Sequence, residues 1–371
     1  MNSFKQFISN SLINYKGFNT NRKIVVFESD DWGSIRMPSL TVFNRLKDAG
    51  IPVEKSAYCK FDSLESNKDL ELLFEVLLKY KDQNGNHPVI TANTVVANPN
   101  FEKIKESKFN EYHFEPFTET LKHYPNHDKV FEYYKQGIKE KIFYPQFHGR
   151  EHVNIEMWLD LLKTNNHFQI AFENNLWGLS NDVFPNLSKS IQATFDSLND
   201  ELLSNNIVDG LNLFEKLFGY RSMSFIANNF IWNSTLNNTL SSNGVEFLQG
   251  MKYQIVPKTD NIKRKLIRHH LGVKNNLGQY YLIRNCSFEP SIDKTDYIKT
   301  LHEINNAFLW NKPAIISTHR INFIGELLED NRTINLKGLE NLIKRILIKW
   351  PEVEFTTSDN IGKIIKLNNN D

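Results

Sequence analysis

Short runs of β-branched and apolar residues alternate along almost the whole chain with longer runs of helical periodicity. This pattern constrains the fold more than any other feature of the sequence. Residues 23–28 read as a first strand, 88–94 as a second, 142–147 as a third and 313–317 as a clearly buried one. Further strands are expected within 218–227, at 245–248, 280–283 and 353–356. Helical spacing appears at 69–79, 128–141, 154–163, 296–309, 336–350 and 360–367. Strands that alternate with helices pair in parallel, because each crossover returns the chain to the same edge direction. With 371 residues the chain suits one large α/β domain. The predicted class is therefore α/β.

Composition narrows the function. Lys plus Arg number 44 against 43 Asp plus Glu, a net charge of +1 that argues against a dedicated nucleic-acid binder. Cys59 and Cys286 are the two cysteines and form no framework. The first ten residues lack the apolar stretch of a secretory leader, and no segment reads as a membrane span, so a soluble cytoplasmic protein is expected. Phe4, Phe7, Ile8, Leu12 and Tyr15 could form an amphipathic helix that packs on the domain, or else one that docks on a membrane surface.

The polar residues at the strand ends carry the chemistry. Asp30 and Asp31 follow the first strand, Asn93 ends the second, His148 follows the third and His319 follows 313–317. Loops at the C-terminal face of such a sheet build active sites. His148 and His152 stand four apart, a spacing that puts both rings on one face of a helix or helical turn. With an aspartate they could hold a zinc-type ion and leave a position open for water. Each residue also has a plain structural reading. The histidines could be one surface and one packing residue, Asp30-Asp31 a turn and N-cap pair, Arg221 an ordinary ion pair, and His319 a support residue. Adjacent His269 and His270 point apart and are not expected to share an ion.

Taken in order, Ser29-Asp30-Asp31, His148-x-x-x-His152, Arg221 and Ser317-Thr318-His319 resemble the motifs of the polysaccharide deacetylases, the NodB-homology or carbohydrate esterase family four group. The resemblance implies a distorted (β/α) barrel of seven strands. It implies Asp30 as general base, Asp31, His148 and His152 as metal ligands, Arg221 as the arginine that orients the base, and His319 as general acid. It further implies a divalent cofactor such as zinc, and a carbohydrate substrate carrying an N-acyl, typically acetyl, group on an amino sugar.

Three departures stand out. Gly149 follows the first histidine, Arg221-Ser222-Met223-Ser224 lacks the family's prolines, and no Asp-Trp motif follows 245–248. Asp359 is a candidate partner for Arg221. Lys258, Lys263, Arg264, Lys265, Arg268 and Lys274 form a basic cluster, either solvated surface or a contact for a phosphate-linked sugar.

The expected organisation is an N-terminal extension over 1–22 and a catalytic barrel over 23–371, with insertions near 98–127 and 249–279. Two other functions are open. A glycoside hydrolase would need a carboxylate pair, for which Glu28 and Asp359 are candidates. A catalytically degenerate glycan-binding domain would keep the fold alone.

Overall fold

The structure is a computed structural model that describes residues 3–187, 189–257, 264–293 and 296–368. Its centre is a parallel nine-stranded sheet: β1 (Ile24–Trp32), β2 (Ile90–Thr94), β3 (Phe143–Phe147), β4 (Ser224–Phe225), β5 (Phe247–Gly250), β6 (Tyr280–Ile283), β7 (Cys286–Ser287), β8 (Ala314–His319) and β9 (Glu354–Thr356). The order across the sheet is β6-β5-β4-β3-β2-β1-β8-β7, with β9 paired to the first residues of β1.

The two ends of this order are consecutive in the chain. β6 pairs with β5, β7 pairs with β8, and only Arg284 and Asn285 lie between. The Arg284 amide bonds the Gly250 carbonyl on one side, and the Asn285 amide bonds the Ile315 carbonyl on the other. The sheet therefore curls until its edges meet, and β6 with β7 is a single seam strand. Counted around the ring, β1 to β5, the seam and β8 make the seven staves of a distorted barrel. Closure removes the unpaired edges that an open sheet would present.

Side-chain alternation in β1 sets the layers. Val25 and Phe27 face outward into a core with the helices Asn67–Leu78, Val130–Lys139, Tyr297–Leu309 and Glu329–Lys349. Ile24 and Val26 face inward, against Phe247 and Ile315 and against Ile361 and Ile365 from the helix Ser358–Asn368. A third apolar cluster lies outside this plan. It joins Ile35, Met37 and Leu46 to Trp158, Phe172 and Trp177, and is built by the loop after β1 and the long connection between β3 and β4.

That connection holds the helices Ile155–Thr164, Asn166–Phe172 and Asp200–Phe218. The last two were not expected from the sequence. The strand Ala97–Pro99 opens the segment 98–127 and pairs with Phe114–Pro116 within it, and 249–279 includes the antiparallel pair Tyr253–Ile255 and Leu266–Arg268. No helix among the described residues is long and apolar enough to cross a membrane.

Candidate metal centre

In a regular strand Asp30 and Asp31 would point to opposite faces. Here β1 carries a bulge, seen as a register shift against β2 between Ser29 and Trp32. Asp31 sits at φ 77°, a left-handed conformation that non-glycine residues adopt rarely. The bulge reverses the alternation. Glu28 and Asp30 continue the inward series of Ile24 and Val26, Asp31 turns into the same cavity, and Trp32 drops into the outer core against Phe143. Gly33 follows at φ 78°, where a Cβ would lie 2.4 Å from the Val95 carbonyl oxygen, so the return from the bulge requires glycine.

His148 and His152 come from the loop after β3. The spacing predicts a helical turn, but residues 148–154 are irregular, with Gly149 at φ 107°. The loop nonetheless brings the ring centroids to 5.3 Å. His148 Nε2 lies 3.4 Å and His152 Nε2 3.1 Å from Asp31 Oδ1, and all three side chains are buried. One ligand atom from each lies within 4.8 Å of the others.

The donor chemistry fits a divalent cation. His148 Nδ1 lies 2.9 Å from the Ile226 carbonyl, which can only accept, so this nitrogen carries a proton and, in the neutral ring, Nε2 keeps its lone pair for the site. A lone pair facing a carboxylate oxygen is repulsive unless a positive group lies between them. Asn228 Nδ2, 3.4 Å from the same Nε2, is the one neighbouring donor that hydrogen-bond geometry gives it. Burial pushes His152 down to about 4, against the pull of Asp31, so it is neutral near pH 7. Its ring stacks on Trp177.

The surrounding charge points the same way. Asp31 bonds Arg36 at 3.1 Å, Arg36 approaches Asp62, and Arg320 bridges Asp62 to Glu65. On the other side Arg284 joins Asp30 to Glu28, and His319 bonds Glu289. Six carboxylates thus meet three arginines and one histidine, a carboxylate-rich setting that suits a bound cation.

Asp30 lies beside the ligand set. Asn93 Nδ2 donates to its Oδ1 at 2.7 Å, and Arg284 grips both of its oxygens. Burial would raise Asp30, but Arg284 outweighs it and holds the carboxyl at about 2. His319, at the end of β8, donates from Nδ1 to Glu289 at 2.6 Å, which leaves Nε2 3.7 Å from Asp30 Oδ2. Burial works against its charge, but Glu289 and the two aspartates outweigh that and lift it to about 10. Asp30, Asp31, His148, His152 and His319 line one cavity of about 60 Å³, together with Arg36, Tyr58, Gln192, Ala227, Asn229 and Phe230.

Arg221 is not part of this arrangement. It precedes β4, so it stands at the end of that strand away from the C-terminal face. Its guanidinium bonds Asn212, Glu215 and Asn243. The arginine on Asp30 is Arg284, at the barrel seam. Asp359 does not pair with Arg221 either. It accepts from Thr357 and Lys363 and lines a separate cavity with Arg22, His87 and Tyr144. Glu28 is enclosed by Arg284 and Ser358. In the basic cluster, Arg264 bonds Asp196 and Arg268 bonds the Leu12 carbonyl, while Lys258 and Lys263 lie outside the described residues.

Sequence reading missed Arg36, Arg284 and Glu289. Glu289 follows the seam strand, and its link to His319 spans 30 residues. Arg36, five residues after Asp31, was the one within reach of a local signal.

No protein-family model matches the chain, and no curated protein matches it. Solved structures do overlay on it. A polysaccharide deacetylase candidate from Mycobacterium smegmatis shares 10% identity over 95% of this chain and 94% of its own, with a TM-score of 0.47. A 4-alpha-glucanotransferase from Thermococcus litoralis shares 11% over 91% of this chain and 40% of its own, at 0.44. Puue allantoinase shares 10% over 95% of each, at 0.43. The chain is similar in architecture to polysaccharide deacetylases. These are distant overlays on proteins of differently named activities, so any assignment of chemistry rests on the side chains themselves.

Proposed function

We propose that the protein is a metal-dependent hydrolase that removes an N-acyl group, acetyl by preference, from an amino sugar in a glycan or glycan precursor. The observation that carries the reading is the meeting of two opposed proton-transfer groups with one ligand set. Asp30 is held ionised, His319 is held charged, and both line the cavity of Asp31, His148 and His152.

In this reading Asp31 Oδ1, His148 Nε2 and His152 Nε2 would hold a divalent ion, zinc or similar, which would supply Lewis acidity toward an acyl carbonyl and toward water. Asp30 accepts the proton of the attacking water at Oδ2, because Oδ1 already receives both Asn93 and Arg284. Arg284 fixes the carboxylate plane, so the base cannot rotate away. His319 Nε2 delivers its proton to the departing amine, which would otherwise be a very poor leaving group. Glu289, bonded to Nδ1, stabilises the charged ring and so keeps Nε2 protonated. A cavity of about 60 Å³ suits a short acyl chain better than a long one.

Acetate release from N-acetylated amino-sugar oligomers, measured on protein of known metal content, tests the reading. Metal-dependent release that disappears in Asp30→Asn and His148→Ala supports it. Sugar-chain cleavage without acetate, or full activity in both variants, overturns it.

A further inference from the structure

The helix Ser3–Asn14 leaves an apolar stripe in solvent. A surface helix normally hides its apolar stripe against the protein and shows its polar face to water. Here Ser11 and Asn14 face the protein beside Ile13, which packs on the inner core. Asn14 is buried, donating to Asn306 at 2.9 Å and accepting from Asn285 at 2.9 Å. Ser11 accepts from Asn306 Nδ2 and Trp310 Nε1.

Four apolar residues face outward. Ile8, Leu12 and Tyr15, spaced four and three apart along one stripe, are 44%, 53% and 43% exposed, and Phe7 is exposed beside them. Leu309 and Trp310, next to Ser11, are exposed as well. On the opposite flank Leu266 is exposed on the strand Leu266–Arg268. Helix burial therefore does not explain this apolar surface, and contiguous patches of this kind mark interaction sites.

The charge around the patch says what covers it. Residues 1–21, which form this helix and the turn after it, contain Lys5 and Lys16 and no Asp or Glu. Lys16 lies over the Tyr15 ring, and Arg268 packs on that ring while bonding the Leu12 carbonyl. Lys265 is exposed next in sequence to Leu266. Two copies of this face would bring like charges together, which disfavours self-association. An anionic surface with an apolar interior complements both features.

We propose that this face docks on an anionic lipid bilayer. Ile8, Leu12 and Tyr15 enter the boundary between headgroups and acyl chains, and Lys16, Lys265 and Arg268 meet lipid phosphates. The contact is peripheral, as no described helix can span a bilayer. It does not depend on the metal centre, so it stands or falls separately from the hydrolase reading.

Vesicle co-sedimentation of the full chain tests it, with phosphatidylcholine vesicles made with or without phosphatidylglycerol. Wild-type protein should sediment only with the phosphatidylglycerol vesicles, and raised salt should release it. Ile8→Ser/Leu12→Ser should weaken binding at least about tenfold, and each of Lys16→Glu and Lys265→Glu about fivefold or more. These residues are exposed, so circular dichroism of the variants should match wild type. Wild type remaining in the supernatant with both vesicles overturns the proposal. So does binding that Ile8→Ser/Leu12→Ser leaves unchanged, or a dimer in light scattering that this variant abolishes, which would assign the face to a second copy.

Discussion

Arg284 holds Asp30 through both carboxylate oxygens, at 2.6 and 2.7 Å, while its Nε bonds Glu28 at 2.6 Å. All three side chains are buried. One guanidinium thus neutralises two carboxylates and orients the one beside the ligand set. Burial raises Glu28 and outweighs the pull of Arg284 and Ser358, with the nearby Asp30 charge adding to the rise.

Arg284→Met should therefore be costly twice over. It leaves two buried carboxylates without their cation, a loss of about 3–5 kcal/mol in denaturant unfolding. It also frees Asp30 to rotate, so activity per folded molecule should fall roughly tenfold to a hundredfold. Arg221→Ala should change stability by no more than about 1 kcal/mol, because its partners are at the surface, and should leave activity intact. Equal losses in the two variants would refute the assignment of Arg284 as the positioning arginine.

Asp31 makes a different demand, on the backbone. At φ 77° Asn is tolerated, whereas a β-branched residue is strained. Both Asp31→Asn and Asp31→Val remove the charge that pairs with Arg36 and should lose metal affinity, and Asp31→Val should be less stable than Asp31→Asn by a further amount of about 1–3 kcal/mol. Thermal unfolding in chelator, alongside metal analysis, separates the two effects. Equal stability of the two variants would count against strain at the bulge.

Metal content gives the most direct check of the centre. Purified wild-type protein should carry about one zinc-like ion per chain, and the folded His148→Ala/His152→Ala variant should carry none. A chelator should lower the wild-type melting temperature and leave that of the variant unchanged, because binding to the native state alone stabilises it. No metal after reconstitution would leave the histidines as structural residues.

The His319–Glu289 pair predicts a pH dependence. The folded value of about 10 stands above the ordinary 6.5. The pair's contribution to stability is therefore fully present below about pH 6.5 and is lost as pH rises through about 10. In its proposed role of general acid, His319 should also set the alkaline limb of kcat/KM. Glu289→Gln removes the strongest partner of the charge, so His319 should titrate lower and that limb should move to lower pH. NMR titration of the imidazole, read beside the rate profile, checks this. An unmoved limb would mean that another group controls it.

Much of the molecule was legible in the sequence because it is written in local pattern. Tyr280–Ile283 fell where the apolar run put it, and β1, β2, β3, β8 and β9 lie within a few residues of their expected spans. Strand-then-polar order was enough to bring Asp30, Asp31, His148, His152 and His319 to one face, because parallel strands share a C-terminal end. Asp200–Phe218 escaped notice despite its 19 residues, its apolar stripe diluted by Asn and Asp.

Three things were decided only by tertiary structure. The bulge that turns Asp31 beside Asp30 depends on pairing with β2, since two adjacent residues of a strand ordinarily diverge. The choice of Arg284 over Arg221 depends on where the barrel closes, because a seam joins residues by ring geometry rather than by sequence distance. The outward turn of Ile8 and Leu12 depends on polar partners nearly 300 residues away, Asn285 and Asn306. The sequence by itself determined which chemistry-bearing residues end the strands, since alternation and periodicity are local properties. Which of them meet was decided by register and closure, which exist only once the chain has folded back on itself.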